Sequence, residues 1–215
     1  MIQNHNKGKL ITFEGIDYSG KSEQYRRTKN ILTADFPEFK AEYLKEPRNP
    51  EIYDLLFKRH PNLKLNEMHP FAFQAFYFAE RVGDYKNIII PALESGVSVI
   101  MDRGPVSVAY GASQIGDINH LMTIQEQFFL GAEVPFIWPD ANLIFDIPVE
   151  VFSERAEKAG RPRDEFENPQ TQRVARDNYH FFAGTYPNCH IIDGNRDPKD
   201  IFDDAWKIIY KILAF

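Results

Sequence analysis

The sequence predicts an α/β fold in which a mostly parallel sheet of about five strands is covered by helices on both faces. Two observations carry this prediction. Short apolar runs alternate with helix-like segments along the 215 residues, and a glycine-rich loop joins the first run to the first helix. Ligands of such sheets bind at the carboxyl ends of the strands, so polar residues that follow a strand are the candidates for function.

The strands are predicted where short segments are rich in β-branched and other apolar residues, at 10–14, 41–45, 97–101, 143–147 and 190–192. Each is bounded by charged, glycine or proline residues, which favours a buried strand over a longer helix.

The helices are predicted in the segments between and after the strands, at 20–35, 51–60, 67–85, 87–95, 106–116, 119–131, 148–158, 169–182 and 198–215. Pro91 predicts a kink or boundary, whereas Pro148 suits the first turn of its helix. Residues 160–168 are charged and contain Gly160 and Pro162, so a short lid loop is predicted there. We expect residues 1–215 to form a single domain with this loop as its mobile part.

Composition narrows the classes of function. The net charge is −6 and no stripe of Lys and Arg occurs, which disfavours a polymeric nucleic acid as partner. A single cysteine, Cys189, excludes an internal disulfide and a cysteine zinc cluster, and it fits a reducing, cytoplasmic compartment. Because charges interrupt the apolar runs, we expect neither a secretory signal nor a membrane span.

Residues 15–22, Gly-Ile-Asp-Tyr-Ser-Gly-Lys-Ser, fit the phosphate-loop pattern G-x-x-x-x-G-K-[ST] between a strand and a helix. The two glycines let backbone N–H groups turn inward to cradle phosphates, the lysine adds a positive charge, and the last serine suits Mg²⁺. The motif predicts a nucleoside triphosphate with Mg²⁺ as ligand. The residues assigned to ATP binding are Gly15, Ser19, Gly20, Lys21, Ser22 and Glu23.

Charged residues that follow later segments are the candidates for catalysis. Asp102 ends a predicted strand, where a carboxylate can join Ser22 in holding Mg²⁺, and Arg103 beside it can clamp a phosphate. Arg161 and Arg163 lie in the lid loop, where positive groups can stabilise a phosphoryl group in transfer. A surface ion pair for Asp102 and Arg103, and a plain solvated loop for the lid, are the structural alternatives.

Further candidates point to a second ligand beside the triphosphate. Tyr77 and Arg81 are four residues apart on one predicted helix face, where a ring and a guanidinium can seat a nucleobase. Arg48 follows a strand and can bind a phosphate. Ordinary helix packing and a solvated loop charge are the structural alternatives for these residues.

With these motifs in place, the chain resembles the thymidylate kinase family of P-loop nucleoside monophosphate kinases. The resemblance rests on residues 13–22, on Glu46-Pro47, on Phe78-Ala79-Glu80-Arg81 and on Asp102-Arg103. It implies a three-layer α/β/α sandwich with a short lid, a homodimer, and transfer of the ATP γ-phosphate to dTMP to give dTDP.

The resemblance also implies roles for individual acceptor residues. Asp17 would contact the 3′-hydroxyl of the deoxyribose, Tyr77 would stack on the base, and Arg81 would read base and phosphate. Ser107 would help to read the thymine edge, and Tyr110 would crowd the 2′ position of the sugar.

The chain departs from the family pattern around the acceptor and the lid. Gly104 follows Asp-Arg where an aromatic residue is usual, Gly111 replaces a glutamine, and Arg48-Asn49-Pro50 replaces two glycines. Tyr18 stands in the phosphate loop where some members have arginine, which makes the lid arginines the expected charge donors, and Glu165 stands where arginine is common.

Two other functions therefore stay open. One is a deoxynucleoside kinase of the same superfamily, in which Glu46 would act as the base. The other is a nucleotide-binding protein without turnover.

Overall fold

The computed structural model describes residues 1–51, 54, 69–161 and 166–214. The strands of this part of the chain are β1 (Ile2–Gln3), β2 (Leu10–Glu14), β3 (Ala41–Lys45), β4 (Ser98–Asp102), β5 (Ile137–Trp138), β6 (Ala141–Asp146) and β7 (Cys189–Asp193). Its α-helices are α1 (Lys21–Asp35), α2 (Pro70–Asp84), α3 (Ile90–Glu94), α4 (Val108–Ile115), α5 (Ile118–Gly131), α6 (Val149–Ala159), α7 (Pro169–Thr185) and α8 (Pro198–Leu213).

The main sheet has five parallel strands in the order β3-β4-β2-β6-β7. The central strand β2 pairs with β4 on one side, Leu10 beside Val99, and with β6 on the other, Ile11 beside Ala141. The chain reaches β3 and β4 first and then crosses to β6, so the strand order reverses at β2. Such a switch point opens a crevice at the carboxyl end of the central strand, where the phosphate loop begins.

Alternating side chains of the sheet belong to two different hydrophobic clusters, one on each face. Leu10 belongs to the larger cluster, which is built with α2 to α7, whereas Ile11 and Phe13 belong to the smaller one with residues of α8. This alternation follows from the two-residue period of a strand. It also turns the buried carboxylate of Glu14 toward the face that carries α4 and α7.

The α/β prediction and the mostly parallel five-stranded sheet are confirmed, with strand ends shifted by no more than two residues. The small parallel sheet of β1 and β5 was not predicted, because two residues are too short to show a period. The helices predicted at 67–85 and 87–95 meet in one helical run, since the π-helical turn Tyr85–Ile89 joins α2 to α3. Pro91, which lacks an N–H, follows this turn.

Some predictions lie wholly or partly outside the described residues. They include most of the helix predicted at 51–60 and the part of the lid at 162–165. Among the helices that the structure describes, none combines the length and the apolar content that crossing a bilayer requires.

Candidate active site

The phosphate loop adopts a backbone that only glycine accommodates at its first position. Gly15 has φ +134°, and a Cβ there would lie 2.4 Å from the carbonyl oxygen of Phe145. Gly20 has φ +90° and precedes α1, whose first turn begins with N–H groups of Glu23 and Gln24 bonded to the Gly20 carbonyl. The loop thus wraps the N-terminus of a helix, which favours bound anions.

The remaining loop residues divide by exposure. Ser19 is 1% exposed and its Oγ has no hydrogen-bond partner among the described residues. Glu23 is exposed on the first turn of α1 and pairs with Arg26.

Lys21 lies buried in a cluster of charges at the mouth of the loop. Its Nζ is 3.7 Å from Asp17 Oδ1, and Arg103 Nη2 donates to the same carboxylate oxygen at 2.7 Å. Burial, together with the charge of Arg103, lowers the pKa of Lys21 to about 8. Burial alone would raise the pKa of Asp17, but the charges of Arg103 and Lys21 outweigh it and hold this pKa below its usual value. Two cations, Lys21 and Arg103, thus meet at the mouth of the loop with Asp17 between them.

Ser22 and Asp102 lie together at the end of β4. Ser22 Oγ donates to Asp102 Oδ2 at 2.7 Å, while the buried Asp102 Oδ1 has no hydrogen-bond partner among the described residues. A hydroxyl and a carboxylate are oxygen ligands of the kind Mg²⁺ takes when phosphates supply further oxygens. The free carboxylate oxygen shows that these residues fit the ion.

A cavity of about 210 Å³ opens beside the phosphate loop. It is lined by both aromatic and charged side chains, namely Asp17, Lys45, Glu46, Pro47, Phe73, Gln74, Tyr77, Arg81, Arg103, Ser107, Tyr110 and Phe166. The rings of Phe73 and Tyr77 lie 5.6 Å apart, and Phe166 lies 5.2 Å from Phe73. A cavity lined by aromatic rings and arginines suits a flat ring that carries an anionic group.

Arg103 faces this cavity from a strained position after β4. It has φ +73°, and its backbone N–H donates to the carbonyl oxygen of Phe13. Its guanidinium lies 4.8 Å from the Tyr110 ring centroid. Nη2 is bound by Asp17, but the buried Nη1 has no hydrogen-bond partner among the described residues. A phosphate oxygen would satisfy that nitrogen.

Arg81 and Arg48 differ in their access to the cavity. Arg81 is 1% exposed, and its guanidinium donates to both oxygens of Glu46 and to Gln125 Oε1. Arg48 lies outside the lining and donates from Nε and Nη2 to Asp84 Oδ1, at 2.9 and 2.6 Å. The structure therefore brings Arg81 and Arg103 to one cavity and leaves Arg48 beside α2.

Beneath the cavity, Glu14 is fully buried. Its Oε2 accepts hydrogen bonds from Ser107 Oγ at 2.7 Å and from Tyr179 OH at 3.1 Å, whereas Oε1 has no partner among the described residues. Burial raises the pKa of Glu14 to about 7, although the bond from Ser107 opposes that shift. Ser107, the predicted reader of a base edge, is thus held by a carboxylate.

Gln172 on α7 joins parts of the site that are far apart in sequence. Its Oε1 accepts from the Asp17 N–H and from Tyr110 OH, both at 3.0 Å, while its Nε2 donates to Asp17 Oδ2 and to the Phe166 carbonyl. Sequence reasoning missed this residue, because a lone glutamine in a helix gives no spacing signal.

The described part of the lid meets the phosphate loop through one arginine. Arg161 donates to Glu167 Oε1, and its guanidinium lies 5.3 Å from the Tyr18 ring centroid. Arg163, the other predicted lid arginine, lies outside the described residues.

Comparison with known proteins places this chain in a family. A model of the family described as thymidylate kinase matches residues 13–205. The thymidylate kinase of Cupriavidus necator is 32% identical over 213 residues, covering 96% of this chain and 100% of that protein. A probable thymidylate kinase of Methanococcoides burtonii is 31% identical over 220 residues, covering 96% of this chain and 98% of its own.

A solved structure is similar as well. The crystal structure of thymidylate kinase from Ehrlichia chaffeensis matches with a TM-score of 0.70 at 23% identity, covering 94% of this chain and 98% of that one. At this identity the match supports the fold alone, and it agrees with a P-loop kinase sandwich.

Proposed function

The chain belongs to the thymidylate kinase family, and we propose that it transfers the γ-phosphate of ATP to dTMP, giving ADP and dTDP. The observation that carries this proposal is the unpaired Nη1 of Arg103 in an aromatic cavity that adjoins the phosphate loop. A monophosphate supplies the anion that this nitrogen lacks, whereas a nucleoside without phosphate leaves it unpaired.

In this proposal the loop amides and Lys21 hold the donor phosphates, and Arg103 orients the acceptor phosphate. An oxygen of the dTMP phosphate attacks the γ-phosphorus, and the bond from that phosphorus to the bridging β-oxygen breaks, so that ADP leaves. The attacking oxygen is already anionic, so positioning and charge stabilisation supply most of the rate.

Two groups complete the proposed machinery. Arg161, and Arg163 outside the described residues, would stabilise the negative charge of the phosphoryl group during transfer. Ser22 and Asp102 would hold Mg²⁺, which when bound neutralises charge on the phosphates.

The acceptor roles follow the resemblance and the cavity. Asp17 would contact the sugar hydroxyl, Tyr77 would stack on the base, and Tyr110 would crowd the 2′ position. Arg81 would act on the base side from its ion pair with Glu46. Arg48 would need to leave Asp84 to reach a phosphate, so we assign it no direct contact.

The deoxynucleoside kinase alternative needs Glu46 as a free base. Both Glu46 oxygens accept hydrogen bonds from Arg81 and the side chain is 2% exposed, so Glu46 would have to break this buried ion pair to take a proton from a sugar hydroxyl. The dTMP reaction requires no such base.

A coupled assay of ADP formation with ATP and either dTMP or thymidine tests the proposal. We expect turnover with dTMP and at least 100-fold less with thymidine, and we expect Lys21→Met to abolish both. Turnover with thymidine alone would support the nucleoside kinase instead. ATP binding without ADP formation from any nucleoside monophosphate would support the function without turnover.

We also propose a cytoplasmic homodimer, on the strength of family membership. Light scattering after size exclusion checks the assembly, with a mass near twice 25.0 kDa as the expected result.

A further inference from the structure

Gln74 on α2 lines the acceptor cavity and has no assigned role. The side chain is 5% exposed and makes no hydrogen bond to another described residue, but its amide atoms are not sealed off from the cavity. An amide that borders a cavity can exchange water for a hydrogen bond to a polar ligand that enters.

Gly111 on α4 fixes the position of this amide. A Cβ at residue 111 would lie 2.5 Å from Gln74 Cδ and 2.7 Å from Oε1. Only glycine leaves room for the amide against the α4 backbone. Among the described residues no group accepts a hydrogen bond from its NH2 group, so this group can donate to a ligand in the cavity that Gln74 lines.

The groups that the family resemblance assigns to the base already make hydrogen bonds within the protein. Arg81 uses Nε, Nη1 and Nη2 on Glu46 and Gln125, and Ser107 Oγ donates to Glu14. The aromatic ring of Tyr77, one turn after Gln74 on the same helix, lines the same cavity. A base stacked on that wall would share the cavity with the Gln74 amide.

We propose that Gln74 determines base specificity by donating its amide N–H to the carbonyl at position 4 of the acceptor base. The proposal rests on the proposed function. It predicts preference for a pyrimidine with a carbonyl at position 4, as in thymine, over cytosine, whose amino group there would oppose another donor. Gly111 provides the space that this arrangement needs.

Steady-state kinetics of Gln74→Met with dTMP and dCMP test the proposal. Methionine keeps the length but lacks the N–H donor, so KM for dTMP should rise about five- to tenfold while kcat stays within twofold. The ratio of kcat/KM for dTMP over dCMP should fall by a similar factor. Gln74→Glu, which accepts but does not donate when ionised, should lower that ratio further.

The exposed Gln127 on α5 offers a matched control, because Gln127→Met makes the same chemical change away from the cavity. It should leave both parameters unchanged. The substrate ratio within one variant does not depend on the folded fraction, so poor folding cannot hide the result.

Two failures are distinguishable. A wild-type protein that does not phosphorylate dTMP overturns the proposed function. An active wild type together with a Gln74→Met variant of unchanged substrate ratio and KM overturns only the role of Gln74.

Discussion

At the scale of single residues, Tyr18 connects the phosphate loop to the lid. Its ring lies under the Arg161 guanidinium, packs edge-on against Phe152, and its backbone carbonyl accepts from Arg155. The ring therefore holds a lid arginine near the site of transfer, in a loop position where some relatives have an arginine of their own.

Tyr18→Leu removes the ring face and should lower kcat about threefold with little change in KM for dTMP, because an exposed cation–π contact contributes ~0.5–1 kcal/mol. Tyr18→Phe keeps the ring face and is the matched control, so its kcat should stay within about 1.5-fold of wild type. Equal losses in the two variants would assign the effect to the hydroxyl and contradict this role.

Glu14 makes stability depend on pH. Burial raises its pKa to about 7, so between its ordinary value and 7 the folded chain binds more protons at this residue than the unfolded chain. This contribution to stability is therefore largest at low pH and is lost as pH rises through 7. Glu14→Gln, which cannot ionise, should abolish it.

Urea unfolding at pH 5 and pH 8 measures this effect. The unfolding free energy of Glu14→Gln minus that of wild type should be larger at pH 8 than at pH 5, by on the order of 2–3 kcal/mol. A difference between variant and wild type that is the same at both pH values would show that Glu14 ionises normally in the fold.

At the scale of elements, helix α7 is tied to the phosphate loop by a buried side chain. Gln172 is fully buried and satisfies the Asp17 N–H, the Asp17 carboxylate, the Tyr110 hydroxyl and the Phe166 carbonyl. The Gln172 amide thus links Phe166 at the end of the lid, Asp17 in the phosphate loop and Tyr110 in the wall of the cavity.

Gln172→Met leaves those buried groups without partners, so we expect a loss of about 2–3 kcal/mol in unfolding free energy. Because Asp17 and Phe166 then lose their common tie, KM for dTMP should also rise. Gln170→Met on the exposed face of α7 is the control, and urea unfolding with kinetics is the measurement. A Gln172→Met variant as stable as that control would contradict the contribution of these bonds.

The elements could be predicted from sequence where a periodic pattern or a glycine signal spans several residues. Strand β2 and the phosphate loop follow from an apolar run and from Gly15 and Gly20, whose backbone demands are local. The pairing of Gln172 with Asp17, 155 residues apart, has no local signal, because it depends on how α7 lies across the sheet. The close approach of Gln74 to Gly111 could not be predicted for the same reason, because it forms between two different helices.

At the scale of the whole molecule, the cavity joins segments that sequence keeps far apart. Its walls come from the phosphate loop, the loop after β3, helices α2 and α4, and Phe166 at the lid end. All of them meet where the strand order reverses beside β2. A ligand in this cavity therefore bridges most of the fold, so its binding should be visible as global stabilisation.

We expect dTMP at about 100 times its dissociation constant to stabilise the fold by ~2.7 kcal/mol, which raises the melting temperature by about 5–10 °C for a chain of this size. Thymidine at the same concentration lacks the phosphate that pairs with Arg103 Nη1, so its shift should be less than half as large. Arg103→Met should reduce the dTMP shift to the thymidine level, because the guanidinium is the group that distinguishes the two ligands. Differential scanning fluorimetry with both ligands and both proteins makes the comparison. Equal shifts for dTMP and thymidine in the wild type would mean that the acceptor phosphate lies elsewhere, and a nucleoside acceptor would then fit this cavity better.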